Sequence, residues 1–143
     1  MSGTTVIAIY AAVIGTLGLA WQVYSWRRAN STTIRVKLSN AFIPGITEHA
    51  AMITAINQSN HTVKVTSAGF ITQDGSKQDV LLMRAPFGAT LPGSIKPRDS
   101  GMTWLDVEEA TRIGLDIYRP LVGWVRTSDD RRFESKAAAL LRR

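Results

Sequence analysis

The chain has 143 residues, carries 17 Lys and Arg against 11 Asp and Glu for a formal charge of +6, and contains no cysteine. The missing thiols exclude a disulfide framework and a thiolate metal site. The basic excess favours anionic surfaces over basic ones, but it is scattered over Arg27, Arg28, Arg35, Lys37, Arg131, Arg132, Arg142 and Arg143. With no basic face interleaved with exposed aromatics, no nucleic-acid partner is expected.

No charged residue occurs from Thr4 to Trp26. As a helix this stretch would run roughly 34 Å, enough for a hydrocarbon core of about 30 Å. Trp21, Tyr24 and Trp26 gather at its C-terminal end and Arg27 and Arg28 follow at once, the arrangement of rings and cations expected at a membrane interface. The first five residues bear no side-chain charge, so the positive-inside rule puts the N-terminus outside and the following domain in the cytoplasm. A cleavable signal peptide is the competing reading, with Gly18-Leu19-Ala20 as its small-residue site. The absent basic n-region and an apolar run that continues past Ala20 argue for an anchor in the cell membrane. Ala8, Ala11, Ala12 and Gly15 have the small-xxx-small spacing that lets helices approach closely, which would support a homo-oligomer.

After a short linker, Ile34, Val36 and Leu38 alternate with Arg35, Lys37 and Ser39, the period of a half-buried strand. Pro44-Gly45 marks a turn, and residues 51–56 read as a more buried strand ending at Asn57-Gln58-Ser59-Asn60. Val63 and Val65 then alternate with Lys64 and Thr66, predicting a hairpin across that turn. A second hairpin is predicted through Asp74-Gly75 into residues 80–83. Residues 84–97 hold Pro86, Gly88, Pro92, Gly93 and Pro97, an irregular connection able to cross between sheets. Residues 102–105 form the next strand candidate. Asp106 with Glu109 three residues on resembles a capping box for one or two helical turns ending at Gly114. Residues 121–125 read as a buried strand, Ser128-Asp129-Asp130 as a turn, and Phe133 as the centre of a last strand. Seven or eight short strands imply an antiparallel sandwich, divided as an anchor over 1–28, a β-domain over 29–136 and a tail over 137–143.

Chemistry-bearing motifs are few. His49 and His61 lie beside no second ligand at metal-binding spacing, and there is no nucleophile elbow, phosphate loop or dinucleotide fingerprint. Asp106, Glu108, Glu109 and Asp116 share one short helix and its exit, where capping accounts for them. No catalytic residue, metal or cofactor is therefore expected. Trp104 and Trp124 fall inside strand candidates and are expected in the core. Asn30, Asn57 and Asn60 match the glycosylation acceptor pattern, although these residue types are also those that turns favour.

Residues 53–57, 63–70, 74–75, 91–93, 97–101, 114–116 and 119–120 carry a resemblance to small actinobacterial and phage-associated proteins with an N-terminal membrane helix. The chain also resembles immunoglobulin-like and fibronectin-like accessory domains, in which a strand ending in Asn leads into a Val-x-Val strand. The resemblance implies a bacterial membrane setting and an immunoglobulin-like antiparallel β-sandwich, mainly β with one short helix, and brings no active site. The expected function is a non-enzymatic interaction module, in contact with the bilayer and a protein partner, with Phe87 in the 84–97 loop as the contact. The alternative is a small membrane effector or phage exclusion or defence factor acting through oligomerised helices, and a third reading, ranked behind both, is a membrane-associated enzyme.

Overall fold

The computed structural model describes residues 2–72, 80–82 and 88–140, the segment 80–82 by its backbone alone. The chain forms two compact units divided between Ser31 and Thr32.

The first unit is the helix α1, Gly3–Ala29, in which no residue is buried. It is long and apolar enough to cross a bilayer or to act as a signal sequence. The Thr16 hydroxyl is satisfied within the helix, because its Oγ1 donates to the Ala12 carbonyl at 2.8 Å, so that group needs no water in an apolar medium. The Trp21 and Tyr24 rings lie 5.9 Å apart, and Arg27 and Arg28 occupy the last turn.

The second unit is a sandwich of two antiparallel sheets. One sheet holds β1 (Ile34–Ile43), β2 (Thr47–Asn57) and β6 (Ser100–Asp106) in the order β1-β2-β6. The other holds β3 (Val63–Thr72), β4 (Val80–Leu82), β7 (Leu121–Thr127) and β8 (Arg132–Glu134) in the order β4-β3-β7-β8, with β5 (Gly93–Ile95) also on β3. A short helix α2, Val107–Arg112, links β6 to the β7 side. Alternation dictates the layers: Ile34 and Val36 in β1, Ile53 and Ala55 in β2, Ala68 and Phe70 in β3 and Leu121 and Val125 in β7 are all buried in one core. Phe70 is fully buried, which contributes about 2–3 kcal/mol by transfer from water. The sheets approach tightly where Gly123 faces Ile53 and Leu38, since a Cβ there would stand 2.9 Å from Ile53 Cγ1.

The predicted strands form, with three differences, while the turn expected at Asp74-Gly75 and the end of the 80–83 strand at Met83 lie outside the described residues. The hairpin expected across Asn57–Asn60 is instead a crossover, because β2 and β3 lie in different sheets. The 84–97 connection contains β5, and the chain changes sheets just beyond it, over Lys96–Asp99. Trp104 and Trp124 are buried but point away from the inter-sheet core, since their neighbours Thr103, Leu105, Gly123 and Val125 are the inward residues. The Trp124 ring is covered by the Arg132 guanidinium, 4.6 Å from its centroid, a cation–π contact. Helix α2 starts as predicted: Asp106 Oδ1 accepts from the Glu108 N–H at 2.8 Å, and Gly114 follows with φ +84°, a left-handed turn that suits glycine. Beyond β8, Ala138 exchanges two 2.9 Å backbone bonds with Leu121, so the segment after residue 136 extends the sheet.

Candidate functional site

Strand directions sort the loops of the sandwich to two ends. β1 starts at the linker and runs away from it, so the β1–β2 turn lies at the far end. β2 returns to the linker end, and β6, antiparallel to it, delivers α2 to the far end.

At the linker end the organising residue is Asn57, fully buried. Its Nδ2 donates to the carbonyls of His61 at 2.8 Å, Ile95 at 3.0 Å and Lys96 at 3.2 Å, while Oδ1 accepts the Ser59 N–H at 2.9 Å. Its backbone binds Asp99 and Arg98. Ser59 Oγ accepts the Thr33 N–H at 2.8 Å, and the Gln58 N–H donates to the Thr33 carbonyl at 2.9 Å. The Asn57 side chain, a buried amide that must be fully bonded, thus ties the two crossovers together, while its neighbours Gln58 and Ser59 hold the domain's first residues. It cannot serve as a glycan acceptor while it is enclosed. His61 Nε2 meets Thr32 Oγ1 at 3.3 Å.

The far end is apolar and acidic. Phe42 is 67 % exposed, and Ile46, Ile113 and Tyr118 are exposed beside it in chain topology. Among the described residues of the domain, the only other exposed large apolar side chain is Met102. A cleft of about 620 Å³ is lined here by Phe42, Ile46, Glu48, His49, Asp106 and Glu108, among others. Arg112 pairs with Glu109 and Arg119 with Asp116, whereas Glu48, Asp106 and Glu108 have no ion pair among the described residues. His49 Nδ1 lies 3.3 Å from Asn40 Nδ2. No group of three or more His, Asp or Glu side chains that could hold a metal occurs among the described residues.

The β7–β8 turn contains the one carboxylate among the described residues whose pKa is clearly displaced. The Thr127 hydroxyl donates to Asp129, and this bond, with the Arg131 guanidinium at 3.2 Å, holds the Asp129 carboxyl below the usual carboxylate range.

Of the residues singled out in the sequence, Trp21, Tyr24, Trp26, Arg27 and Arg28 lie exposed together at the C-terminal end of α1. Ala8, Ala11, Ala12 and Gly15 share a helix face by their three- and four-residue spacing, and a Cβ at Gly15 would meet open space. Phe87 falls outside the described residues. The far-end cleft went unforeseen because its parts come from residues about sixty positions apart, joined only by β2–β6 pairing. The pair Phe42 and Ile46 flanking Pro44-Gly45 was the available signal: bulky apolar residues where a solvated turn favours polar ones.

No family model matches the chain, and no curated protein matches it. Among solved structures, it is similar to a Bordetella pertussis protein provisionally named ApaA, with 14 % identity, a TM-score of 0.43 and coverage of 78 % of this chain and 97 % of that one. It is also similar to the structural-genomics target SoR45, with 17 % identity, a TM-score of 0.34 and coverage of 77 % and 84 %.

Proposed function

We propose that this chain is a membrane-tethered, non-enzymatic interaction module whose contact surface is the end of the sandwich farthest from its linker. The observation that carries the reading is the cleft in which the exposed Phe42 and Ile46 stand beside Glu48, Asp106 and Glu108, carboxylates with no ion pair among the described residues, while Ile113 and Tyr118 add exposed apolar surface at the same end by chain topology. Apolar anchors ringed by charge are what a protein contact needs. The partner that fits is a protein segment bearing an apolar anchor flanked by Lys or Arg. Strand order β1-β2-β6 against β4-β3-β7-β8 supports an immunoglobulin-like, fibronectin-like sandwich, a scaffold that presents loops at its two ends. The uncharged stretch of α1, its terminal rings and its closing arginines support a span of the cell membrane with the domain in the cytoplasm. Tethering raises local concentration, so a weak contact suffices.

The test is photocrosslinking in intact membranes from a probe at position 42, with position 102 as an equally apolar control. A discrete adduct from position 42 that disappears with Glu48→Lys and Glu108→Lys supports the reading. The same adduct from both positions, or indifference to those charge reversals, overturns it.

A second reading, an effector acting through oligomerised helices, is favoured by the uncovered face at Gly15. Because nothing in the single helix opposes a larger side chain there, Gly15→Leu isolates helix association. A crosslinked ladder in membranes that Gly15→Leu abolishes would establish it, and a monomer throughout would eliminate it.

A further inference from the structure

The linker end has a charge character opposite to that of the far end. Arg126, Arg131 and Arg132 pair with Asp130, Asp129 and Glu134 across the β7–β8 turn, so that turn is internally balanced. Lys64, Lys96 and Arg98 are exposed, and among the described residues none of them is ion-paired. Lys96 and Arg98 stand on the crossover that Asn57 fastens to Thr33 through the Gln58 and Ser59 bonds, and Lys64 precedes Val65 in the strand whose carbonyl receives Ser128 N–H. Arg35 and Lys37, also exposed, project from the first half of β1. These five cations, none of them ion-paired among the described residues, cluster by strand topology at the end where the chain leaves the domain, with Asp99 on the same crossover and Glu134 on the same cleft as Arg35 and Lys37.

The chain leaves for α1 at this same end. Four residues separate Ala29 from Ile34, a linker that reaches about 14 Å when fully extended.

We propose that Lys64, Lys96 and Arg98, with Arg35 and Lys37, form a foot that seats the domain on anionic phospholipid headgroups of the leaflet its linker enters. This rests on the membrane-tethered reading above. Each cation held at a negatively charged leaflet favours the seated state by about fivefold, and the effect decays within a Debye length of about 8 Å at physiological salt. The short linker is what brings the cations into that range. The rigidity of the Asn57 network matters as well, because cations on a fixed crossover are presented without further ordering. Nucleic acid could also satisfy five cations, but no described aromatic side chain stands exposed among them to stack a base.

The native chain has no cysteine, so a single probe can be placed cleanly. The full-length chain carrying Ser128→Cys is labelled with a donor dye and reconstituted into vesicles of phosphatidylcholine alone or with about one-third phosphatidylglycerol, each with an acceptor dye on a trace headgroup. Thr111→Cys, at the far end, is the control. Energy transfer from position 128 should rise on adding phosphatidylglycerol, fall back at high salt, and fall with Lys96→Glu and Arg98→Glu as the seated population drops about tenfold or more. Transfer from position 111 should not rise. The salt titration needs no charge variant, and a melt of each variant separates lost seating from lost folding. Transfer from position 128 that ignores lipid charge and salt overturns the proposal, as does loss of the lipid effect alongside binding of a single-stranded oligonucleotide by the same cations. Release of the chain from vesicles by alkaline carbonate would instead overturn the membrane tether itself.

Discussion

The two ends of the sandwich are built from opposite materials. At the linker end, Asn57 is enclosed and spends its amide on three carbonyls and one N–H from different segments. At the far end, Phe42 and Ile46 project into solvent on a hairpin with Gly45 at φ +76°, and the neighbouring carboxylates are held by little beyond their own turn. Buried, non-local bonding produces rigidity, while exposed apolar surface is free energy left available for a contact. The domain invests its polar interior where the chain enters and leaves its apolar exterior where it does not.

The comparison can be broken at Asn57 first. Asn57→Ala should lower unfolding stability by about 3 kcal/mol, because several buried carbonyls lose their donor at once; equilibrium denaturation measures it, and a loss below about 1 kcal/mol would show that the knot is incidental. Next is the midpoint between the ends, where Gly123→Ala should cost about 1–3 kcal/mol by forcing Ile53 off its rotamer. An unchanged melting midpoint would mean the sheets are less closely apposed than described.

A smaller effect is pH-dependent. The folded state favours ionised Asp129, so its contribution is present above the usual carboxylate range and is lost as pH falls through the lowered value. Asp129→Asn should therefore be less stable than the parent near neutrality and converge with it in acid. Divergence towards low pH would reverse the assigned sign. The smallest stability change belongs to the far end: Phe42→Ala should leave the fold within about 0.5 kcal/mol of the parent while removing the adduct formed by a probe placed at position 46 of the same cleft. A large destabilisation there would make the aromatic part of the core.

Most of the strands were legible because a half-buried strand writes its own alternation: Ile34, Val36 and Leu38 point in as their period predicts, and Asp106 caps α2 as its residue type predicts, although through the Glu108 N–H and with Glu109 paired to Arg112. Sheet membership was not legible. Asn, Ser and Gly suit a tight hairpin and a crossover equally, and the choice after β2 is settled by bonds from Asn57 to residues 38 and 39 positions away. The tryptophans are buried as expected, but the side of the sheet they face was not legible for a related reason. Apolar residues at consecutive positions, Trp104-Leu105 and Trp124-Val125, leave the inward side ambiguous, and the partner strand decides. The far-end cleft has no local signature, and of the cationic foot only Arg35 and Lys37, the exposed alternates of β1, were legible, since the rest is assembled by strand direction from distant segments.

The Leu121–Ala138 bridge has a mechanical consequence. Thr32 lies at one end of the sandwich and Ala138, paired with the first residue of β7, lies towards the other. Tension applied between them acts along the strands, perpendicular to ladder bonds that run across them. Such a load strains many of those bonds together instead of peeling them in sequence, so the domain is suited to resist tension applied between its two ends.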